Sequence, residues 1–174
     1  HLSIRRQRQM CIRDSHSTFR VSPSAPIPVL RERALQASPP PQPDSLQAPE
    51  LVDLADLDAD FQFDIRYASE HNFLGSPVYE QARALLQKPA ALALVEASRD
   101  LVEEGHGLMI FDAYRPWSVS YLFWEATPEH LREFVADPTT GSRHNRGCAV
   151  DLTLYDLKTG QPLPMPSDYD DFSP

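Results

Sequence analysis

Residues 142–154 read SRHNRGCAVDLTL and combine a histidine, a glycine and an aspartate with the start of a strand. The last five residues of this stretch alternate apolar and polar side chains, which is the period-two pattern of a half-buried strand. Asp151 is therefore expected to project from the polar face of that strand, facing back toward His144. The preceding residues 137–141 are expected to form a loop.

His144 and Asp151 lie seven residues apart. That separation spans about 10.5 Å on a continuous helix and about 23 Å on an extended strand. Two ligands of one zinc ion each bond it at about 2.0–2.2 Å, so their donor atoms must lie close together. A shared metal requires the chain to bend between them, and Gly147 supplies the conformational freedom for the bend. The alternative is a surface histidine and an unrelated strand-end aspartate.

A second motif, Asp112-Ala113-Tyr114-Arg115-Pro116, follows a short apolar run over residues 108–111 that is typical of a buried strand. An arginine fixed beside a proline at the end of such a strand holds its guanidinium at the sheet edge. This group is permanently charged and presents a planar fork of donors. It would suit a substrate carboxylate or a developing oxyanion. A structural ion pair between Arg115 and Asp112 is the alternative.

A third candidate region covers residues 167–171, which read SDYDD. Its carboxylates would suit an ammonium group, but an acidic run of this kind is also typical of a solvated loop. The pattern leaves both interpretations open.

The remaining pattern of residues 50–174 predicts an α+β domain with a small mixed or antiparallel sheet flanked by helices. Alternating apolar residues predict a strand over 61–67. Helices are predicted from Pro89 through Glu104, over 118–126, and from Thr127 onward, since proline suits the first helical turn. Gly105 is placed to end the first of these helices in a left-handed conformation.

Composition separates the first 49 residues from the rest. They carry 8 of the 17 prolines and 7 Lys/Arg against 3 Asp/Glu. A proline-rich segment of this kind buries too little apolar surface to offset chain entropy, so residues 1–49 are predicted to be disordered and to make few contacts with the domain. The run over residues 5–15 resembles translated sequencing-adaptor sequence, so part of the segment is expected to be artefactual.

Charge and cysteine content exclude several function classes. Residues 50–174 carry 9 Lys/Arg against 22 Asp/Glu, a net charge of −13. So acidic a module is poorly suited to phosphate backbones, which argues against nucleic-acid binding. The two cysteines exclude a disulfide-rich scaffold, and no apolar run is long enough to span a membrane. Localisation stays open between the cytoplasm and export behind a lost N-terminal signal, and oligomeric state is left open.

Taken together, the motifs resemble those of the D-alanyl-D-alanine dipeptidases, the VanX-type zinc D,D-dipeptidases. Residues 142–154 resemble the zinc-binding signature of that family, and residues 112–116 its arginine motif. Residues 64–68, followed by Asn72 and Phe73, are similar to its early strand and loop. The resemblance runs from about Leu51 to Pro174 and implies the fold of a zinc D,D-peptidase.

The resemblance also implies roles for individual residues. His144 and Asp151 would be ligands of one Zn²⁺ ion, and Arg115 would stabilise the transition state. The substrate, a small dipeptide, would be held by Ser142, Asp170 and Tyr67, with Asp170 facing its free amino group and Tyr67 on the pocket wall. The implied activity is zinc-dependent hydrolysis of D-alanyl-D-alanine to D-alanine.

One departure from the family pattern concerns the third zinc ligand and the general base. The resemblance implies that both come from a later Glu-x-x-His motif, and none follows Asp151 in this sequence. We therefore expect residues 50–174 to be a C-terminally truncated catalytic domain that is inactive by itself. Two alternatives remain: a related D,D-carboxypeptidase or endopeptidase acting on cell-wall peptides, and a non-catalytic module that binds peptidoglycan peptides.

Overall fold

The computed structural model describes residues 19–42, 48–57 and 59–172. Its helices and strands are, in chain order, α1 Ile27–Gln36, β1 Leu51–Asp53, β2 Phe61–Phe63, β3 Leu85–Gln87, α2 Lys88–Glu103, β4 His106–Asp112, α3 Trp117–Ala126 and β5 Asp151–Asp156. Short 3-10 helices cover Leu54–Asp56, Arg66–Ala68, Glu129–Phe134 and His144–Arg146. The predicted α+β class is confirmed, and none of the helices in the described ranges combines the length and hydropathy needed to cross a membrane.

The main sheet has three strands in the order β2-β4-β5 and is mixed, since β2 runs parallel to β4 whereas β5 runs antiparallel to it. β1 and β3 form a separate antiparallel pair. At one end of the main sheet the register pairs Asp112 of β4 with Asp151 of β5, after an irregularity between Ile110 and Asp112. The pairing brings the motif that contains Asp112 and the motif that contains Asp151 to the same end of the sheet.

The central strand β4 is the most buried element of the sheet, because the residues from Gly107 to Asp112 are all buried. Helix α2 covers one side of it, and Ala91, Leu86 and Ile110 share one apolar cluster between helix and sheet. The predicted boundaries of α2 are confirmed to within a residue. Gly105 follows the helix with φ of 87°, the left-handed conformation that the sequence predicted for its end.

A second core, here called the aromatic core, surrounds a group of aromatic rings with aliphatic side chains and lies on the side of α3. Tyr67, Phe73 and Phe123 contact one another through tilted or edge-on rings, with centroids 4.7–6.5 Å apart. Leu30 of α1 and Phe172 near the end of the described chain belong to the same cluster. This core therefore joins the beginning, middle and end of the described chain.

The prediction that residues 1–49 are disordered is wrong for residues 19–42. Helix α1 packs against α3, and Leu30 and Ala34, one helical turn apart, are fully or almost fully buried. Two of the prolines that predicted disorder start this helix instead. Pro26 is its N-cap, and Pro28 lies in its first turn, where the missing N–H costs no hydrogen bond. Residues 1–18 and 43–47 lie outside the described residues, and so does the adaptor-like run.

Two predicted elements differ in the structure. Strand β2 ends at Phe63, and Tyr67 lies in a 3-10 helix instead, where its carbonyl oxygen accepts hydrogen bonds from the backbone N–H groups of Val78 and Tyr79. Because this carbonyl oxygen is bonded to the segment that contains Val78 and Tyr79, Tyr67 does not take part in the hydrogen bonds of the sheet. The helix predicted from Thr127 is a short 3-10 helix that follows Pro128.

The packing of α1 predicts a matched pair of stability effects. Leu30→Ala should lower the free energy of unfolding by about 2–5 kcal/mol, because it opens a cavity in the aromatic core. Leu35→Ala, the same substitution on the same helix at a side chain that is 72% exposed, should change it by no more than about 0.5 kcal/mol. Urea unfolding of both variants measures the difference, and equal effects would contradict the docking of α1 on the domain.

Candidate metal and substrate site

Glycine 147 makes the bend between the two predicted metal ligands. His144 begins the 3-10 helix His144–Arg146, which ends at Gly147 with φ of 65°. A Cβ atom there would lie 2.6 Å from Cδ2 of Leu51, so a larger residue meets both backbone strain and a steric clash. The chain then turns back into β5, whose first residue is Asp151.

The bend brings His144 and Asp151 together, as the sequence predicted. Nε2 of His144 lies 3.4 Å from Oδ1 of Asp151. Nδ1 of the same ring lies 2.8 Å from the carbonyl oxygen of Ala113, which can only accept a hydrogen bond, so Nδ1 carries the proton. In the neutral ring the lone pair is then on Nε2 and faces the carboxylate, which is the tautomer a metal ligand requires.

The donor set fits a zinc ion. Two donors about 2.1 Å from a tetrahedrally coordinated zinc lie about 3.4 Å apart, which is the observed separation of Nε2 and Oδ1. Imidazole nitrogen and carboxylate oxygen are both ordinary zinc ligands. Asp112, His144 and Asp151 together form a group that could hold a metal ion, since one donor atom from each lies within 4.8 Å of the others.

Asp112 has contacts that favour a supporting role within this group. Its carboxylate is fully buried at the end of β4. Oδ2 accepts hydrogen bonds from Nε and Nη2 of Arg115 at 3.0 and 2.7 Å, and Oδ1 accepts one from the Tyr79 hydroxyl at 2.6 Å. Both oxygens are therefore engaged. The ion pair considered as an alternative role for Arg115 is present.

Arg115 lies beside both His144 and Asp151. Its backbone N–H donates to the carbonyl oxygen of His144, and its Nη2 lies 3.6 Å from Oδ2 of Asp151. The guanidinium is held over the rings of Tyr67 and Phe123, 5.0 Å from each centroid. Its pairing with Asp112 occupies two of the five N–H donors of a guanidinium.

Asp170 is brought to the same region by Tyr67. The Tyr67 hydroxyl donates to Oδ1 of Asp170 at 3.0 Å, whereas Oδ2 is buried and has no hydrogen-bond partner among the described residues. Asp170 also has φ of 57°, a strained left-handed backbone for a residue other than glycine. Burial raises the pKa of its carboxyl to about 6, although the hydrogen bond from Tyr67 and the charge of Arg115 each lower this pKa. The carboxyl group of Asp170 is therefore not part of a solvated loop.

The mutual approach of His144 and Asp151 shifts both pKa values. Burial alone would lower the pKa of His144, but the facing carboxylate outweighs it, and the net shift is upward. Burial alone would raise the pKa of Asp151, but His144 and Arg115 together lower it. Each group therefore favours its charged form beside the other, as expected for an electrostatic pair.

Ser142 lies in the loop before His144, where its hydrogen bonds are with Asn145. Its N–H donates to Oδ1 of Asn145, and its Oγ accepts from the Asn145 N–H. The side-chain amide of Asn145 in turn donates to the carbonyl oxygen of Arg115 and to Oγ of Ser120. This network fixes the loop that carries His144 against the loop that carries Arg115.

Sequence reasoning missed three residues of this site: Asn145, Tyr79 and Tyr169. Tyr169 donates its hydroxyl to Oδ2 of Asp151 at 3.1 Å. Their contacts depend on tertiary neighbours far away in sequence, so no local pattern identifies them. The one Glu-x-x-His in the sequence runs from Glu103, the last residue of α2, to His106, the first residue of β4, which is about 20 Å along the strand from Asp112. It does not contribute to this site.

Comparison with known proteins agrees with the motifs. A family model described as D-ala-D-ala dipeptidase matches residues 47–174. The chain is 41% identical over 122 residues to a D-alanyl-D-alanine dipeptidase of Escherichia coli (strain K12), covering 70% of this chain and 62% of that protein. It is 37% identical over 127 residues to a protein of the same name from Enterococcus faecalis, covering 63% of each chain.

A further D-alanyl-D-alanine dipeptidase, from Streptomyces coelicolor, is 33% identical over 137 residues, with 68% of each chain covered. The chain spans less than two thirds of the length of the proteins from Escherichia coli and Enterococcus faecalis. The match to the family model covers most of the chain, and the His144, Asp151 and Arg115 motifs lie within it. The chain belongs to the D-ala-D-ala dipeptidase family.

Proposed function

We propose that the whole protein is a zinc-dependent dipeptidase that hydrolyses D-alanyl-D-alanine to two molecules of D-alanine. The observation that carries the proposal is the convergence of His144 Nε2 and Asp151 Oδ1 at 3.4 Å, beside the guanidinium of Arg115. Similarity to proteins named D-alanyl-D-alanine dipeptidase supports the choice of substrate.

In this proposal His144 and Asp151 would hold the zinc ion. When bound, zinc would supply Lewis acidity that polarises the scissile carbonyl and acidifies a water molecule. Catalytic zinc sites use about three protein ligands, and both oxygens of Asp112 are engaged elsewhere. We propose that further residues complete the ligand set and supply the general base, as the Glu-x-x-His motif of the family resemblance implies.

Asp170 is proposed to bind the amino group of the dipeptide. A buried carboxylate oxygen without a partner is costly, and an ammonium group would satisfy it with a charge-assisted hydrogen bond. An acceptor of this kind recognises a free amino terminus and so disfavours peptides that are extended on the amino-terminal side of the scissile residue pair. Ser142 retains its hydroxyl hydrogen after accepting from Asn145, and in this proposal donates it to the substrate.

Arg115 is proposed to stabilise the negative charge that develops on the carbonyl oxygen during hydrolysis. Asp112 holds the guanidinium through two hydrogen bonds, and the rings of Tyr67 and Phe123 fix its plane. A donor oriented before the reaction requires no reorganisation as charge develops, which is the basis of oxyanion stabilisation. Tyr67 thus serves the site by positioning both Arg115 and Asp170.

The metal assignment predicts the behaviour of ligand variants. His144→Ala and Asp151→Asn should each abolish stoichiometric zinc binding and D-alanine release by the whole protein, because each removes a proposed ligand. His130→Ala, at an exposed histidine, should leave both unchanged. Metal analysis of the purified proteins and an assay for D-alanine measure the two quantities, and normal zinc content in both ligand variants would refute the assignment.

The proposed role of Arg115 predicts a loss of rate without loss of metal. Arg115→Lys keeps a positive charge beside the buried Asp112 but replaces the planar fork by a point charge. Its kcat should fall by about 10²–10³, the usual cost of removing a transition-state donor. Arg115→Ala should lose at least as much and also be destabilised, since it leaves Asp112 unpaired. Retained rate with lost zinc in Arg115→Lys would instead assign Arg115 to the support of the metal site.

The role of Asp170 predicts a pH dependence. Its carboxyl has a pKa of about 6, and only the deprotonated form attracts an ammonium group. The value of kcat/KM should therefore fall as pH drops through about 6, because this ratio reports the ionisation of the free enzyme. Asp170→Asn should have a lower kcat/KM and lack this acid limb. An unchanged limb in the variant would show that another group titrates there.

A further inference from the structure

Tyr169 contacts the proposed metal ligand Asp151 at a different carboxylate oxygen from the one that His144 faces. Its hydroxyl donates to Oδ2 of Asp151 at 3.1 Å, whereas His144 faces Oδ1 at 3.4 Å. The third neighbour of this carboxylate, Nη2 of Arg115, is 3.6 Å from Oδ2, beyond ordinary hydrogen-bond distance. Among the described residues, Tyr169 therefore supplies the side-chain hydrogen bond that restrains the rotation of the carboxylate.

The carboxylate of Asp151 needs such a restraint, because its side chain is one-third exposed at the first position of β5. A carboxylate rotating freely there would offer either oxygen to a metal. The bond from Tyr169 engages Oδ2 and leaves Oδ1 directed at His144. It thereby selects one oxygen for coordination.

The ring of Tyr169 is itself held in place. Its centroid lies 5.1 Å from that of Phe111 on β4 and 6.0 Å from that of Tyr67. Phe111 and Tyr67 are both buried. The hydroxyl is thus delivered by an aromatic side chain with little freedom to move away. The adjacent residue is Asp170, so one turn carries both the proposed amine acceptor and the contact to Asp151.

We propose that Tyr169 is a positioning residue that raises the metal affinity of the site by orienting Asp151. Hydrogen-bond partners of metal ligands fix the ligand atom and tune its basicity, and losing one costs about 10–100-fold in metal affinity or activity. The inference rests on the proposed function only in taking His144 and Asp151 as zinc ligands. It assigns to Tyr169 a role that acts through Asp151 and not through the substrate.

The test is the zinc dissociation constant of Tyr169→Phe, measured on the whole protein by competition with a chromophoric chelator. The substitution removes the hydroxyl and leaves the ring in its aromatic packing. Affinity for zinc should weaken by about 10-fold or more. Tyr155→Phe is the matched control. It removes a tyrosine hydroxyl that donates a hydrogen bond of 3.0 Å to the carbonyl oxygen of Asp60, away from the site. Its zinc affinity should equal that of the unsubstituted protein.

Substituting Co²⁺ for zinc adds a readout that does not depend on activity. Visible absorption of bound Co²⁺ should change in Tyr169→Phe, because the coordinating oxygen is no longer fixed, and should be unchanged in Tyr155→Phe. Zinc affinity within 2-fold of the unsubstituted protein, with an unchanged Co²⁺ spectrum, would overturn the role of Tyr169 and leave the proposed function standing. Absence of zinc binding by the unsubstituted protein would overturn both.

Discussion

The buried carboxylate of Asp112 is the constraint on which the site depends. An ionised group taken out of water must be paired and hydrogen-bonded, and Asp112 meets this requirement through Arg115 and Tyr79. The pairing draws the loop after β4 back over the end of the sheet, and the carbonyl oxygen of Ala113 in that loop orients the ring of His144. Because β5 pairs Asp151 beside Asp112, two like charges meet at one sheet end, and the cation of Arg115 lies between them.

The aromatic core extends this arrangement to distant parts of the chain. Tyr67 contacts the guanidinium of Arg115 through its ring and Asp170 through its hydroxyl. Phe172, two residues later, packs against Phe73 and against Phe19 near the start of the described chain. The segment that precedes the matched family region therefore supports the turn that carries Asp170. The aromatic packing and the polar contacts of Arg115 and Asp170 therefore stabilise the same arrangement of the site.

Much of the fold and the site follows from local sequence patterns, and the exceptions have physical causes. The helix after Pro89, the strand before Asp112 and the bend at Gly147 are encoded by caps, apolar runs and backbone freedom, so they were predictable. The docking of α1 was not, because Leu30 is buried only by partners from other parts of the chain. Asn145, Tyr79 and Tyr169 were missed for the same reason: each acts through a contact that no spacing rule identifies.

The central claim is that His144 and Asp151 share one metal ion. The most direct measurement is a crystal structure of the zinc-loaded whole protein, with anomalous differences recorded above and below the zinc absorption edge. We expect one strong peak about 2.0–2.2 Å from both Nε2 of His144 and Oδ1 of Asp151. A peak bound to other residues, or a direct hydrogen bond between these two side chains with zinc elsewhere, would contradict it.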